Sequence, residues 1–487
     1  MLEIQKRSSN LFLALLSLPA TAMGFALSIQ ISTLSWILST KYGLEIEEIG
    51  LVWAAGPIAG IFGQIIIGFI SDNVWFWNGR RRPFIVIGGT FAALMLLALP
   101  SIDIISSALG MDGVLGIAIT IALLLDLSIN VSFNPTRSII ADVTSSHYRT
   151  RGYTWMQTIS GTFGVLAYAI GALLGKYFLI YLGVGLVFSF SVIPCFFIEE
   201  PRWLQTQQEE TEGNNRPRQI SGKEVMIVLQ PLWGLLLFAA YKIPVRLLGV
   251  NISGSYFEFL CLALTIAMLV YVYLKGSRKE DNLREFQKIL IAHAFTWLGV
   301  QSMFVYMFAY IQDQLPSMGH REIGSVIDIS FLLLNLVGAL LPVIALEPLT
   351  RIIGRVRTHM VSIAIMALSY GGIAFIGKSP VLLYVFMILA GVGWGATVSL
   401  PFAIMSERID KSRMGLFMGI FNLSVVLPQL VASLQVGNIV QDATDKSIIF
   451  FICAISLGIS AILWMFVRES RQQAPEKSLV DGSTTSH

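Results

Sequence analysis

The sequence predicts an all-α membrane protein that crosses the bilayer many times, and three observations lead there. Of the 487 residues 55% are hydrophobic and only 13% are charged, about half the charge of an ordinary soluble domain. The mean hydropathy is +0.72. The apolar residues also fall in runs of about 20, the length a helix needs to cross hydrocarbon. A net charge of +3, spread between apolar runs, gives no basic surface for nucleic acid. The three cysteines, Cys195, Cys261 and Cys453, lie inside apolar runs. An odd count in such places argues against a disulfide framework or a metal site, so they read as small buried hydrophobes.

The first stretch, "MLEIQKRSSNLFLALLSLPATAMG", has the basic start and the "ATA" of a cleaved signal. Its apolar character continues from Leu11 to Leu38, well past the ~7–15 residues of a signal core, so a retained first span is expected. Further spans are predicted near Ile46–Ile70, Phe84–Ile104, Val114–Val143, Tyr153–Gly175 and Phe178–Ile198. The polar stretch that follows, rich in Gln, Glu, Asn and Pro, reads as a solvated linker. Spans resume at Val225–Tyr241, Ser255–Leu274, Ile289–Ile311, Ile323–Leu346, Met360–Gly377, Val381–Met405, Met414–Val440 and Ile448–Val467, for a total of about fourteen.

The expected organisation is a six-helix half over 1–199 and a linker over 200–224. An inserted pair with its loop follows over 225–284, then a second six-helix half over 285–467 and a tail over 468–487. The short Val225–Tyr241 run is followed at once by Lys242 and Arg246. It is read as crossing together with Ser255–Leu274, and a re-entrant pair would leave the downstream orientation unchanged.

Basic residues in short loops mark the cytoplasmic side. Arg80–Arg82, His147–Arg151, Lys275–Arg284, Arg351–Arg357 and Glu407–Arg413 then all lie inside, as do both termini. The opposite loops carry isolated basic residues such as Lys41, Lys176 and Lys378. An internal echo supports two halves: Asp72 followed by "GRRRPF", and Glu347 followed by "PLTRIIGRVRTH". Each places an acid, a glycine and clustered arginines between the second and third helices of its half, and such repeats are a basis of transporter folds.

Polar residues inside spans are costly and face the protein interior or a water path. The fourth span, "ITIALLLDLSINVSFNPTRSIIADV", is the densest. Asp126 and Arg137 are eleven residues apart, so they share a face about 16 Å apart along the axis, with Asn130 between them. Each must therefore meet another helix, a solute or water. Desolvation disfavours a charged carboxyl and a neighbouring cation favours it, so Asp126 could exchange a proton; the plainer reading is a bond to a neighbouring helix. Gln64, Gln157, Gln301, Asp328, Asn335, Asn422 and Gln429 are further interior candidates, each more often helix-to-helix glue than ligand contact. Asp328 and Asn335 are seven apart, as are Asn422 and Gln429, and each pair shares a face. Trp297 and Trp394 lie mid-span instead of in the interfacial belts; stacking on sugar rings is one use of such a place and packing the commoner one. His293 reads as a packing residue. There is no H-E-x-x-H, no G-x-S-x-G and no P-loop, so neither an enzyme nor a cofactor or metal site is expected.

These residues resemble the major facilitator superfamily, in the form found in sucrose–proton symporters and their animal and bacterial relatives, the glycoside–pentoside–hexuronide:cation type. "GFISD…GRRRPF" is similar to the superfamily loop signature. "GFALSI" at Gly24 and the run from Trp53 to Asp72 are similar to the first two helices. Leu125 to Asp142 is similar to the fourth helix pattern "LD-x-x-x-N-x-x-x-x-x-P-x-R". "FTWLGVQSMFVY", "GVGWGATVSLPFAIM" and "MGLFMGIFNLSVVLPQLVAS" are similar to the seventh, tenth and eleventh helices.

The resemblance implies that Asp126 is the proton site and Arg137 its charge partner. It also implies that Asp72, Arg80, Arg81, Arg82 and Asp142 form a cytoplasmic latch. Gln64, Asn130, Gln157, Trp297, Gln301, Trp394, Asn422 and Gln429 are the candidate solute contacts. The chain departs from the plant pattern at Tyr306–Ala309, where acids are usual, at Ser28, where a Gln is usual, and at Gly164, where an Asn is usual. The expected function is proton-coupled symport of a disaccharide or related glycoside by a monomer in the plasma (inner) membrane. The alternatives are a carrier or exporter of another small organic solute, and a receptor or scaffold that does not transport.

Overall fold

In a computed structural model the described residues are 9–61, 70, 74–111, 113–144, 146–200, 222–247, 254–274, 282–409 and 414–469. Among them the secondary structure is helical, with one isolated β-bridge between Phe76 and Gly79. Twelve described helices are long and apolar enough to cross a membrane, so the chain is an all-α polytopic membrane protein. Gln64 and Asp72 lie outside the described residues, as do residues 201–221 of the linker and 470–487 of the tail.

Local chemistry sets the helix ends. α1 spans Asn10–Thr40, and the side chain of Ser9 accepts the Phe12 amide at its start. α2 begins at Ile46–Trp53, where Glu48 reaches back to the Glu45 amide at 2.8 Å, and helical residues continue to 61. α3, Arg82–Ala98, has Pro83 in its first turn, where the missing N–H costs nothing. Pro100 then tightens the chain into a 3₁₀ turn, Leu99–Ser101, before α4 at Ile102–Ala108. α5 (Leu115–Val143), α6 (Ser146–Leu174) and α7 (Lys176–Phe196) complete the first half. Gly175 turns the corner between the last two at φ 92°, a region that only glycine enters freely.

The inserted segment departs from the expected single span at Val225–Tyr241. It forms α8 (Gly222–Val228), a 3₁₀ turn (Gln230–Leu232) and α9 (Trp233–Leu247). Pro231 lacks the N–H that a continuous helix needs, so the helix restarts there and runs past Lys242 and Arg246. These charges are tolerated because Lys242 Nζ meets Glu258 Oε1 at 2.5 Å and Arg246 Nη2 meets Glu47 Oε1 at 2.5 Å. α10, Tyr256–Leu274, follows and is long and apolar enough to span.

The second half comprises α11 (Asn282–Gln314), α12 (His320–Leu341), α13 (Glu347–Ile353) and α14 (Arg355–Ile376). α15 (Pro380–Ser406), α16 (Met414–Val431), α17 (Gly437–Asp442) and α18 (Ile448–Met465) follow. A π turn at Ala432–Val436 joins α16 to α17. The two halves repeat one packing plan. α1 packs on α6 and α7 while α3 packs on α5 and α7; correspondingly, α11 packs on α16 and α18 while α14 packs on α15 and α18. Lipid tails are as apolar as leucine, so close approach of small residues orders such helices. A Cβ on Gly88 would lie 2.2 Å from Ser132 Oγ on α5, and one on Gly89 would lie 2.1 Å from Ser191 Cβ on α7.

The repeat extends to the charges at the end of the bundle that carries Arg80–Arg82 and Arg355, here called the basic end. Glu200, just after α7, accepts the amides of Arg80, Arg81 and Arg82 at 2.8, 2.8 and 2.7 Å. Glu469, just after α18, accepts those of Arg355 and Val356 at 2.7 and 3.0 Å. Arg81 Nε meets Asp142 Oδ2 at 3.1 Å, at the end of α5, and Arg355 pairs with Glu407 at the end of α15. In each half an acid behind the sixth helix caps the third, and an arginine ties the third helix to the fourth.

A carboxylate on open amides at a helix start stabilises by about 0.5–2 kcal/mol. Glu200→Ala and Glu469→Ala are therefore expected to lower the thermal unfolding midpoint of the purified protein by comparable amounts. Glu200→Gln should retain part of the effect by keeping one acceptor oxygen. Thermal unfolding followed in detergent measures all three.

Candidate functional site

In the first half the central polar residue is Asp126. Its Oδ2 accepts the side-chain N–H of Gln30 on α1 at 2.9 Å, and a Cβ on Gly56 of α2 would lie 3.3 Å from the same oxygen. Asp126 is 8% exposed and is thus packed where α1, α2 and α5 meet. Among the described residues no cation is within ion-pair reach of it. Asn130 turns its amide back to the Asp126 backbone carbonyl at 2.8 Å. Arg137, beyond Pro135, is exposed and lies over the Phe133 ring at 4.1 Å. The Tyr153 hydroxyl on α6 donates to the Arg137 carbonyl at 3.3 Å, and Thr154 and Gln157 on α6 are exposed. Asp126 and Arg137 therefore occupy separate surroundings on one helix, as their spacing along the axis requires.

In the second half three helices bring an amide and indole cluster together. Gln429 on α16 donates to Gln301 on α11 at 3.1 Å. One turn away on α11, Trp297 lies edge-to-face with Trp394 of α15, ring centres 6.2 Å apart. Trp394 donates its indole N–H to Asn335 on α12 at 3.1 Å, and Trp297 donates its own to His293 Nε2 at 2.9 Å. His293 stacks on Phe421 at 4.8 Å, but its Nδ1 has no partner, so it orients Trp297 besides filling space. Asn422 is half-buried on α16. Trp297, Gln301, Trp394, Asn335 and Gln429 thus converge, while Asn130 and Gln157 belong to the other half.

Between the halves lies a network that joins Asp328, one of the interior candidates, to Lys176. Lys176 reads as an isolated loop residue; the structure buries it in the first turn of α7. Its Nζ meets Asp328 Oδ1 of α12 at 2.7 Å, with side-chain exposures of 3% and 0%. Ser32 of α1 donates to the same carboxylate oxygen at 2.6 Å, and its carbonyl accepts from Lys176 at 2.8 Å. Asp328 Oδ2 is left without a bond, against Gly171, where a Cβ would lie 2.3 Å away. The signal was available, since a lysine directly abutting an apolar run starts the helix as easily as it precedes it.

Other bonds joining the halves gather around this network, at the end opposite the arginines. Ser35 donates to the Val305 carbonyl at 2.8 Å and Trp36 to that of His320 at 2.8 Å. Ser325 donates to the Ala172 carbonyl at 3.1 Å, and Gln441 bonds both the Ile46 amide and Glu45. At the basic end the pairs Arg81–Asp142, Lys288–Glu285 and Arg355–Glu407 each stay within one half.

A family model described as Major Facilitator Superfamily matches residues 16–433 and 289–484. The chain is 25% identical to Sucrose transport protein SUC4 of Arabidopsis thaliana, over 86% of this chain and 82% of that protein. It is 32% identical to the General alpha-glucoside permease of Schizosaccharomyces pombe over 32% of each chain. Among solved structures, the inward open conformation of the xylose transporter XylE from E. coli superposes with a TM-score of 0.61, at 12% identity, covering 95% of this chain and 97% of that one.

Removing one partner of a buried ion pair costs about 3–5 kcal/mol, whereas replacing both with apolar groups is nearly neutral. Lys176→Met or Asp328→Asn alone should lower the yield of folded protein and its unfolding midpoint. The double variant Lys176→Met/Asp328→Leu should recover most of the loss. Size-exclusion profiles and thermal unfolding of the three variants test this; a double variant worse than both singles would contradict the pairing.

Proposed function

We propose that this chain, which belongs to the Major Facilitator Superfamily, carries a sugar together with protons by alternating access of its two halves. Secondary-active movement of a small solute follows from family and fold. The finer reading is a disaccharide or related glycoside, taken up across the plasma (inner) membrane with the basic end in the cytoplasm.

The observation that carries it is the convergence of Trp297 and Trp394 with the Gln301–Gln429 amide pair. A sugar presents hydroxyls that need paired donors and acceptors, and C–H faces that pack on aromatic rings. The likeness to a sucrose transport protein and an alpha-glucoside permease supports the same class.

Coupling is assigned to Asp126. A carboxyl packed between three helices, with one amide donor and no cation beside it, holds its charge at a cost and gives it up to a proton. Movement of α1 or α2 changes that cost directly, because Gln30 bonds the carboxyl and Gly56 leaves no more room beside it than a Cβ would fill. The driving force suffices: one charge moving through 100 mV yields ~2.3 kcal/mol, enough for more than tenfold accumulation. In this arrangement the network around Lys176 and Asp328 holds the far end shut, and alternating access requires those bonds to part while the basic end closes.

Radiolabelled uptake into proteoliposomes, across a panel of disaccharides and monosaccharides with and without a pH gradient, tests the substrate class. Accumulation of at least one glycoside that collapses with the gradient is expected; accumulation of none would sink the sugar reading.

Asp126→Asn keeps the size of the side chain but cannot cycle a proton. It should abolish accumulation driven by the gradient while exchange of solute across the membrane survives. A bond that merely holds helices together predicts loss of folded protein and of both activities in parallel. Solute-induced proton uptake measured on the same variant decides between them, and intact coupling would remove Asp126 from the mechanism.

A further inference from the structure

The amide and indole cluster lies in the second half, yet a solute touching one half alone would bind equally well however the halves are tilted. A ligand shifts a conformational equilibrium only through its preference for one state, so the first half must touch the solute too. Tyr168 of α6 is placed to do so. Its ring lies edge-to-face on Phe331 of α12, centres 5.7 Å apart. Ring contacts continue from Phe331 to Phe304 of α11 at 5.4 Å, and from Phe304 to Trp394 at 5.5 Å. The Tyr168 hydroxyl is within hydrogen-bonding reach of Ser28 on α1 and of Asn335 on α12, the residue that accepts the Trp394 indole N–H. One turn before Tyr168 the same side of α6 is unfilled. A Cβ on Gly164 would lie 3.5 Å from Ser28 Oγ and, among the described residues, would meet nothing else within 4 Å. Asn335 and Trp394 are half-buried, so the cluster itself is not sealed.

We infer, on the reading that the solute is a sugar, that the Tyr168 hydroxyl is the first half's contact with it, completing the site from across the interface. The neighbouring polar groups keep capacity for a ligand. Asn335 donates one N–H to the Phe331 carbonyl at 2.8 Å and accepts Trp394 at 3.1 Å, while Ser28 donates to the Gly24 carbonyl at 3.0 Å. A carboxamide has two N–H groups and two lone pairs, and a hydroxyl one donor and two lone pairs. A sugar hydroxyl donates and accepts at once, so it can stand between Tyr168 and Asn335. Asp328 lies two turns from Asn335 on α12, about 10 Å along the axis. A solute held between Tyr168 and Asn335 draws α6 towards α12, the same two helices that meet at Gly171 and Asp328 in the network at the far end. Solute binding and closure of that end then favour each other.

Uptake of radiolabelled sucrose and maltose into proteoliposomes, with thermal unfolding of the same preparations, tests this. Tyr168→Phe keeps the ring on Phe331 and removes the hydroxyl. It should raise the concentration for half-maximal uptake about three- to tenfold, the range for one neutral hydrogen bond, with the unfolding midpoint little changed. Gly164→Leu leaves the hydroxyl in place, fills the space beside it, and should raise the same concentration. A hydroxyl that only joins helices predicts a lower unfolding midpoint and lower maximal uptake at unchanged half-saturation. Half-saturation within about twofold of native in Tyr168→Phe would overturn the assignment, and the same result in Gly164→Leu would do so should the first variant not fold. Uptake of neither sugar by the native protein would overturn the sugar reading itself, and this contact with it.

Discussion

The arrangement depends on one buried contact, the ammonium of Lys176 against the carboxylate of Asp328, 2.7 Å apart and sealed from solvent. It joins α7 of one half to α12 of the other, with Ser32 of α1 bonded to both. Neither charge could stay buried alone, because an unpaired ion in a low-dielectric interior costs several kcal/mol. The pair therefore fixes how α7 and α12 meet, beside the bonds from Ser35, Trp36 and Ser325 that join the halves at the same end. Water supplied to that end removes most of this cost, so the same contact can serve as a reversible closure.

The rest of the bundle is organised mainly by contacts within each half. Within each half, glycines bring helices close and an acid caps the third helix. Glu200 and Glu469 do the same task at equivalent places, as do the pairs Arg81–Asp142 and Arg355–Glu407. The polar interior is divided between the halves as well. The isolated carboxyl of Asp126 lies in the first, and the amide and indole cluster lies in the second. In the proposed transport cycle, movement of one half against the other would change the surroundings of both groups at once.

The inserted pair stands apart from this scheme. α9 and α10 pack on each other and on α11 and α16, while Arg246 reaches Glu47 of the first half at 2.5 Å. That ion pair lies at the same end as the Lys176–Asp328 contact.

The sequence by itself determined the class, most of the spans and the repeat, because the bilayer imposes a length and a hydropathy that each helix must meet alone. The loop position of Arg80–Arg82 was legible from charge alone, whereas Asp142 was named with them only through the family resemblance, because its pairing with Arg81 joins residues 61 apart. The break of the Val225–Tyr241 run at Pro231, into α8, a 3₁₀ turn and α9, is a local backbone effect that hydropathy does not record. What only the tertiary structure decided is which polar groups meet. Gln30 with Asp126, Gln429 with Gln301, and Lys176 with Asp328 are separated by 96, 128 and about 150 residues. No periodicity records such pairings, because they arise from how helices lie side by side. Lys176 shows the limit most plainly: its charge placed it in a loop, and only the carboxylate of a helix in the other half made its burial possible.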